Sequence, residues 1–98
     1  MEIIKNLNDS SLTLKIIGRL DTTTSPEAES VIKANIEGIT DLCFDLEGLD
    51  YISSAGLRVF LSIQKIMNKQ GQLKLINVKP EVMEILEVTG FVDILTIV

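Results

Sequence analysis

Apolar runs of strand length alternate along this chain with segments that begin and end as helices do. The first two runs, Glu2 to Leu7 and Leu12 to Ile16, are separated by the turn residues Asn8-Asp9-Ser10-Ser11. Apolar and polar residues alternate in the second run, so the two runs predict an N-terminal β-hairpin. Helical segments separate the later runs, which predicts crossover connections and parallel neighbouring strands.

Three segments carry helix start and stop signals. Pro26 follows a run of Thr and Ser residues, which is typical of a first helical turn, and Gly38 marks the end of that helix. The same reasoning predicts a second helix from about Ala55 to Lys69, ended by Gly71, and a third helix from Pro80 to Gly90.

The remaining runs complete the predicted sheet. Leu42 to Leu46 is predicted to be a central strand covered on both faces, and Glu47 to Ala55 a loop. Gln72 to Asn77 and Ile94 to Val98 are the last two predicted strands. The fold class expected for residues 1–98 is a single-domain α/β sandwich, in which helices cover a mixed, mostly parallel sheet. Its element order is β-β-α-β-α-β-α-β, built by right-handed crossovers around an aliphatic core.

Charge and residue usage exclude several classes of function. The chain has a formal net charge of −5 and no cluster of Lys or Arg, which argues against direct binding to nucleic acid or to an anionic membrane. Histidine is absent and Cys43 is the only cysteine, which excludes a disulfide framework and an ordinary Cys/His zinc site. We expect no cofactor, and we expect Cys43 to be a small buried hydrophobe.

The cellular setting is predicted from the apolar runs and the N-terminus. No apolar run approaches the length of a membrane span, and Met1 to Leu7 lacks the pattern of a signal peptide. We therefore expect a cytoplasmic protein, present as a monomer or a weak dimer.

The predicted loop ends in a serine turn, Ser53-Ser54-Ala55-Gly56, at the start of the second helix. Backbone N–H groups in a first helical turn lack intrahelical partners and point outward with the positive end of the helix dipole. Such a site accepts an anion, including a phosphate. On the residues alone, Ser53 or Ser54 either caps the helix or is phosphorylated at a place that can absorb the added charge.

The second helix, behind the serine turn, has a wide apolar face. Phe60, Ile63 and Met67 lie on one side of it and are expected to pack on the sheet. Val59 and Ile66 lie on the flank. If they are exposed, they add to an interaction surface beside Ser54.

Three separated segments resemble one family. The run Leu46 to Arg58, which contains the serine turn, resembles the signature of STAS domains, and in particular that of the bacterial anti-sigma factor antagonists. Gly18-Arg19-Leu20-Asp21 is similar to that family's Gly-x-Leu-Asp segment. Val88-Thr89-Gly90-Phe91 is similar to its segment before the last strand. The resemblance covers nearly the whole chain in order and spacing.

This resemblance implies a non-enzymatic partner switch that regulates transcription. An unphosphorylated antagonist binds an anti-sigma factor, which is a serine kinase with a histidine-kinase-like ATPase fold, and so frees the sigma factor. The kinase phosphorylates a serine at the start of the antagonist's second helix, and the complex dissociates. A metal-dependent serine phosphatase then resets the antagonist.

The resemblance also assigns candidate residues. The family's phosphorylated serine commonly stands in Asp-Ser-Ser-Gly or Asp-Ser-Thr-Gly, so alignment on Gly56 places Ser54 at the phosphorylated position and Ser53 at the aspartate, a departure from the pattern. The loop that begins at Asp21 lies at the same end of the family's domain, although Asp21 equally suits a plain turn between strand and helix. The residues predicted to contact the partner are Asp21, Thr22, Thr23, Ser53, Ser54, Ala55, Gly56, Arg58 and Val59.

A further expectation concerns the last residues. The sequence ends on its last predicted strand, where many family members continue into another helix. We therefore expect an apolar surface there that faces a partner, a second copy or solvent.

Three alternatives belong to other classes. A serine on a strand–turn–helix elbow resembles a hydrolase nucleophile, but no histidine base exists, a Ser-Lys pair would have to replace it, and Ile52 stands where the elbow has glycine. A phosphate or nucleotide binder is disfavoured because no Gly-Lys-Ser/Thr loop is present. The third alternative is a STAS interaction module of another system, such as a scaffold or lipid-transport component, without phospho-switching.

Overall fold

The computed structural model describes residues 1–98 as five strands, three α-helices and one short 3-10 helix. In chain order the elements are β1 (Glu2–Asn8), β2 (Ser11–Leu20), α1 (Ser25–Asn35), β3 (Asp41–Asp45), β4 (Leu49–Ile52), α2 (Ser54–Gln70), β5 (Gln72–Ile76), α3 (Pro80–Val88) and the 3-10 helix (Phe91–Asp93). None of the helices combines the length and apolar character needed to cross a bilayer.

The strands form one mixed sheet. β1 and β2 pair antiparallel as the predicted hairpin, whereas β3 pairs parallel with β2, and β5 pairs parallel with β3. The order across the sheet is β1-β2-β3-β5, and β4 pairs with the far end of β2. The predicted fold class combines one antiparallel hairpin with parallel strands that helices connect. The structure has this arrangement, so the prediction is confirmed.

The apolar core lies on one face of the sheet. Leu14, Phe44 and Leu75 come from three neighbouring strands and are fully buried there together with Phe60 of α2. The rings of Phe44 and Phe60 lie 5.2 Å apart in a core that is otherwise mostly aliphatic. The opposite face carries partly exposed polar side chains and Cys43, which is buried outside this core. The prediction that β3 is covered on both faces is therefore wrong.

Strand β4 lies in the segment predicted to be a loop. Its end residues Leu49 and Ile52 are buried, while Asp50 and Tyr51 between them are exposed. The strand forms because β2 continues to Leu20 and offers a parallel partner. Four residues with two polar ones in the middle show no period of two, so the sequence pattern did not indicate a strand.

The last predicted strand, Ile94 to Val98, is reduced to a single parallel bridge between Ile97 and Leu75. Leu75 donates its N–H to the Thr96 carbonyl at 2.8 Å and accepts from the Val98 N–H at 2.9 Å. The segment therefore follows the edge of β5 without forming a full strand. The 3-10 helix occupies the residues just before it.

Candidate functional site

The serine turn lies where β4 meets α2. Ile52 at the end of β4 and Leu57 in the first turn of α2 are buried, so the turn is anchored on both sides. Ser53 has an extended backbone, and its Oγ accepts a hydrogen bond from the Ala55 N–H at 3.2 Å. Ser53 is thus the N-cap of α2, and it satisfies a donor that the helix start would otherwise leave unpaired.

Ser54, the first residue of α2, presents its side chain to solvent. It is exposed, and its hydroxyl makes no hydrogen bond within the protein, whereas that of Ser53 is engaged in the cap. Arg58 lies one helical turn further on, is also exposed, and belongs to no ion pair. The structure therefore distinguishes two serines that the residues alone left equivalent: Ser53 caps the helix and Ser54 is available for chemistry.

A second loop, Asp21–Thr24, lies beside the serine turn and is called here the Asp21 loop. β2 and β4 are parallel and end in register at Leu20 and Ile52, so the segments that follow them emerge at the same end of the sheet. The N–H of Ser53 donates to the Leu20 carbonyl at 2.8 Å. This bond joins the serine turn to the residue that precedes the Asp21 loop.

The Asp21 carboxylate organises this loop. Its Oδ1 accepts hydrogen bonds from the backbone N–H groups of Thr23 and Thr24, each at 3.0 Å. The Thr24 hydroxyl accepts from the Asp21 N–H at 3.0 Å and donates to the Arg19 carbonyl at 2.7 Å. The bond from the Thr24 N–H, helped by that of Thr23 and by the Arg19 guanidinium, holds the pKa of Asp21 below its ordinary value.

A cleft of about 410 Å³ separates the first turns of α1 and α2 next to Ser54. It is lined by Thr22, Ser25, Pro26, Glu29, Ala55, Arg58 and Val59. The Asp21 loop, α1 and α2 all contribute to it. The cleft thus brings together four of the residues predicted to bind a partner, namely Thr22, Ala55, Arg58 and Val59.

Opposite charges stand on the two sides of the cleft. Glu29 on α1 is paired with Lys33 at 3.0 Å, and the hydrogen bond from Lys33, followed by that of Ser62, lowers the pKa of the Glu29 carboxyl. Arg58 on α2 has no such partner. The unpaired cation of this cleft is therefore on the same helix as Ser54.

Two of the predicted contact residues are buried. Val59 is only 4% exposed and belongs to the core, so the condition under which it would add to an interaction surface beside Ser54 is not met. Gly56 is buried as well, against the end of β2. Phe60, Ile63 and Met67 pack in the core as expected. The wide apolar face predicted for the second helix is thus present, and it includes Val59.

The sequence reasoning missed several residues around the turn. Pro26 and Glu29 line the cleft, which only the packing of α1 against α2 reveals. The Arg19 guanidinium lies 4.3 Å from the centre of the Tyr51 ring, because β4 pairs these two residues across the sheet. Had Leu49–Ile52 been recognised as a strand parallel to β2, this pair could have been anticipated.

No three His, Cys, Asp or Glu side chains come together as they would around a metal ion. The lone thiol, Cys43, is buried, and burial raises its pKa. The site therefore offers the exposed hydroxyl of Ser54 at the positive end of the α2 dipole. The ordered Asp21 loop and the unpaired guanidinium of Arg58 lie beside it.

Together the fold and the site define a small α/β protein whose distinctive surface is a serine-capped helix start at one end of a mixed sheet. The chain belongs to the STAS domain family, whose model matches residues 2–98. The resemblance to STAS domains seen in the sequence is thereby confirmed.

Named relatives agree with this assignment. The chain is 35% identical over 96 residues to BtrV of Bordetella bronchiseptica, provisionally named an anti-sigma factor antagonist, covering 96% of this chain and 83% of BtrV. It is 31% identical over 91 residues to the anti-sigma-B factor antagonist of Bacillus subtilis, covering 92% of this chain and 84% of that protein. These relatives carry the names of regulators, and the prediction that the chain is not an enzyme is confirmed.

Solved structures share the fold. The unphosphorylated form of the anti-sigma factor antagonist SpoIIAA superposes with a TM-score of 0.76 at 15% identity, over 99% of this chain and 87% of that one. The phosphorylated form of the same Bacillus protein gives a TM-score of 0.75 at 16% identity, over 99% and 91%. The fold of this chain thus matches an antagonist known in two phosphorylation states.

Proposed function

We propose that this protein is an anti-sigma factor antagonist in which residues 1–98 act as one STAS domain. It binds an anti-sigma factor serine kinase while Ser54 is unmodified and is released when Ser54 carries a phosphate, which regulates transcription that depends on the sigma factor. The observation that carries the proposal is the exposed Ser54 hydroxyl, which has no hydrogen-bond partner, beside a Ser53 hydroxyl engaged in the helix cap.

The position of Ser54 suits a phosphate. As the first residue of α2 it lies among N–H groups that lack helical partners, at the positive end of the helix dipole. A phosphate adds about −1.5 to −2 charges at neutral pH. Arg58 stands one helical turn away without another ion pair, so the added charge is compensated locally and the fold survives modification.

The departure from the family pattern at Ser53 is conservative in this geometry. The family pattern that the sequence resembles commonly has aspartate where Ser53 stands, and Ser53 supplies the cap acceptor for the Ala55 N–H. Serine and aspartate are comparable N-caps, so the replacement keeps the helix start intact. It also leaves position 53 uncharged, so a phosphate on Ser54 meets no carboxylate at its neighbouring side chain.

The partner surface proposed here consists of the exposed or half-exposed residues around the cleft. They are Asp21, Thr22, Thr23, Ser53, Ser54, Ala55 and Arg58. A phosphate on Ser54 replaces a neutral hydroxyl of this surface with a bulky group that carries about −1.5 to −2 charges. A partner surface that fits the unmodified hydroxyl then has to accommodate this volume and charge, which weakens the complex.

The proposal includes the cellular cycle. The antagonist acts in the cytoplasm, as a monomer or weak dimer, and meets neither nucleic acid nor membrane directly. A metal-dependent serine phosphatase removes the phosphate from Ser54 and restores binding. This second partner is the one that the resemblance to anti-sigma factor antagonists implies, and it is needed because a phosphoserine at neutral pH persists until an enzyme removes the phosphate.

The test uses the purified anti-sigma factor kinases encoded in the same genome as this chain, with ATP. We expect one phosphate, mapped by mass spectrometry to Ser54, abolished by Ser54→Ala and retained by Ser53→Ala. We expect Ser54→Asp to weaken binding to the same kinase by at least about tenfold, or 1.4 kcal/mol. Phosphate on Ser53, or none with any kinase, would contradict the switch and favour a STAS scaffold or lipid-transport module without phospho-switching.

A further inference from the structure

Asp21 uses its carboxylate within its own loop. Oδ1 receives the N–H groups of Thr23 and Thr24 at 3.0 Å each, and Oδ2 faces the Arg19 Nε at 3.8 Å. The side chains of Thr22 and Thr23, by contrast, are exposed. Oδ1 of Asp21 is thus engaged inside the loop, Oδ2 accepts no hydrogen bond, and the neighbouring threonine side chains face outward.

The backbone carbonyls of Leu20 and Asp21 also connect this loop to both helices of the site. The Asp21 carbonyl accepts from the Ser25 N–H at 2.9 Å, at the first residue of α1. The preceding carbonyl, that of Leu20, accepts from Ser53 at the cap of α2. Thr22 then lines the cleft together with Ala55. A change in the Asp21 loop therefore changes the wall of the cleft next to Ser54.

We propose that Asp21 is a positioning residue of the partner surface. Its Oδ1 holds the Asp21 loop in the conformation that places Thr22 and Thr23 beside Ser54, and partner binding requires this acceptor oxygen rather than the negative charge of Asp21. The inference rests on the proposed function, because it assigns a role in binding the same partner. It also refines the expectation that Asp21 itself contacts the partner.

The physical consequence is a change in population. Without the acceptor, the loop has no bond to hold the Thr23 and Thr24 N–H groups, and the binding-competent conformation becomes one of several. The apparent Kd then rises in inverse proportion to the fraction of molecules that retain that conformation. Asparagine at position 21 keeps an acceptor oxygen and loses only the charge, which separates the two explanations.

The experiment compares Asp21→Ala with Asp21→Asn in the full chain. Asp93→Ala and Asp93→Asn serve as matched controls, because Asp93 is an exposed carboxylate in the 3-10 helix, remote in sequence from both loops of the site. The first readout is the backbone amide NMR shift and exchange protection of Thr23 and Thr24 in the free protein. The second is the affinity for the kinase that binds the wild-type chain, with KM and kcat for phosphorylation of Ser54.

We expect Asp21→Ala to lose the Thr23 and Thr24 amide protection, to weaken binding about tenfold or more and to raise KM with kcat unchanged. Asp21→Asn should keep the amide signals and stay within about threefold of wild type in affinity. Both Asp93 variants should behave as wild type in all readouts.

Two results would overturn the inference. One is unchanged Thr23 and Thr24 amides in Asp21→Ala, which would show that the carboxylate does not build the loop. The other is an equal loss of affinity in Asp21→Asn and Asp21→Ala, which would show that the charge itself meets the partner. Failure of the wild-type chain to bind any kinase is a separate outcome, which overturns the proposed function and with it the binding role of Asp21.

Discussion

Gly56, in the first turn of α2, lies directly against Leu20, the last residue of β2. A Cβ on Gly56 would come within 2.9 Å of the Leu20 Cβ and 3.2 Å of the Leu20 carbonyl oxygen, and within 2.7 Å of the Ile52 Cγ1. Only a residue without a side chain lets the start of α2 approach the ends of β2 and β4 so closely. This contact, with the Ser53 to Leu20 hydrogen bond, sets the distance between the serine turn and the Asp21 loop.

Replacing Gly56 by alanine should therefore destabilise the fold. Glycine to alanine in a helix interior gains up to about 1 kcal/mol in propensity. Here the added methyl group displaces Leu20 and Ile52, and overpacking of this kind costs about 1–3 kcal/mol. We expect a net loss of stability in denaturant unfolding. Lys65→Ala, at an exposed position of the same helix, is the control and should stay near wild type. A Gly56→Ala protein more stable than that control would refute the close-packing argument.

The elements that could be predicted are those with local signals. Pro26 and Pro80 each lie in the first turn of a helix, because proline fixes its own φ and lacks the N–H that the helix interior needs, and Gly71 follows the last residue of α2 because glycine has a low helix propensity. The hairpin of β1 and β2 likewise follows from turn residues and alternation. Such features depend on a few consecutive residues, so the local sequence is sufficient to predict them.

The elements that escaped prediction depend on distant partners. β4 exists because β2 continues past an irregularity between Gly18 and Arg19 and offers it a parallel edge. The bridge at Ile97 depends on β5 in the same way. The cleft depends on the packing of α1 against α2, which no local pattern encodes. For the site, the resemblance selected Ser54 over Ser53, and the geometry of the cap adds the physical reason, because the Ser53 hydroxyl is engaged with the Ala55 N–H.

Ser53 and Ser54 should differ in their effect on stability. Ser53→Ala removes the acceptor of the Ala55 N–H, and loss of an N-cap costs about 0.5–2 kcal/mol. Ser54→Ala removes an exposed hydroxyl with no partner and should change the free energy of unfolding by no more than about 0.5 kcal/mol. Urea unfolding monitored by circular dichroism measures both. Ser53→Asp is the rescue variant and should restore the stability of Ser53→Ala. Equal costs for the two alanine variants would be inconsistent with the assigned cap.

The Asp21 loop should weaken in acid. The pKa of Asp21 is below its ordinary value of 3.8 in the folded protein, chiefly because of the hydrogen bond from the Thr24 N–H. The unfolded chain therefore takes up this proton first, so the contribution of ionised Asp21 is complete above about pH 3.8 and is lost as the pH falls through the lower folded value. Glu29 contributes in the same direction from its own lowered pKa.

Comparison with Asp21→Asn isolates the Asp21 part of this acid effect. The variant keeps Glu29 and every other carboxylate, so its Tm should fall less steeply than that of wild type below about pH 3.8. Thermal unfolding at intervals of half a pH unit between 5 and 2.5 measures the difference. Parallel Tm curves for the two proteins over this range would mean that the Asp21 carboxylate does not stabilise the folded loop.

Cys43 should be unreactive in the folded protein. Its side chain is 7% exposed, and burial raises the pKa of the thiol, so little thiolate is present at neutral pH. Labelling with a disulfide reagent at pH 7.5 should proceed at least about tenfold more slowly than in denaturant, because the low exposure and the raised pKa of the thiol both disfavour attack by the thiolate in the folded protein. Glutathione under the same two conditions controls for the effect of denaturant on the reagent. Rapid labelling without denaturant would place the thiol at the surface and contradict the position of Cys43 in the sheet.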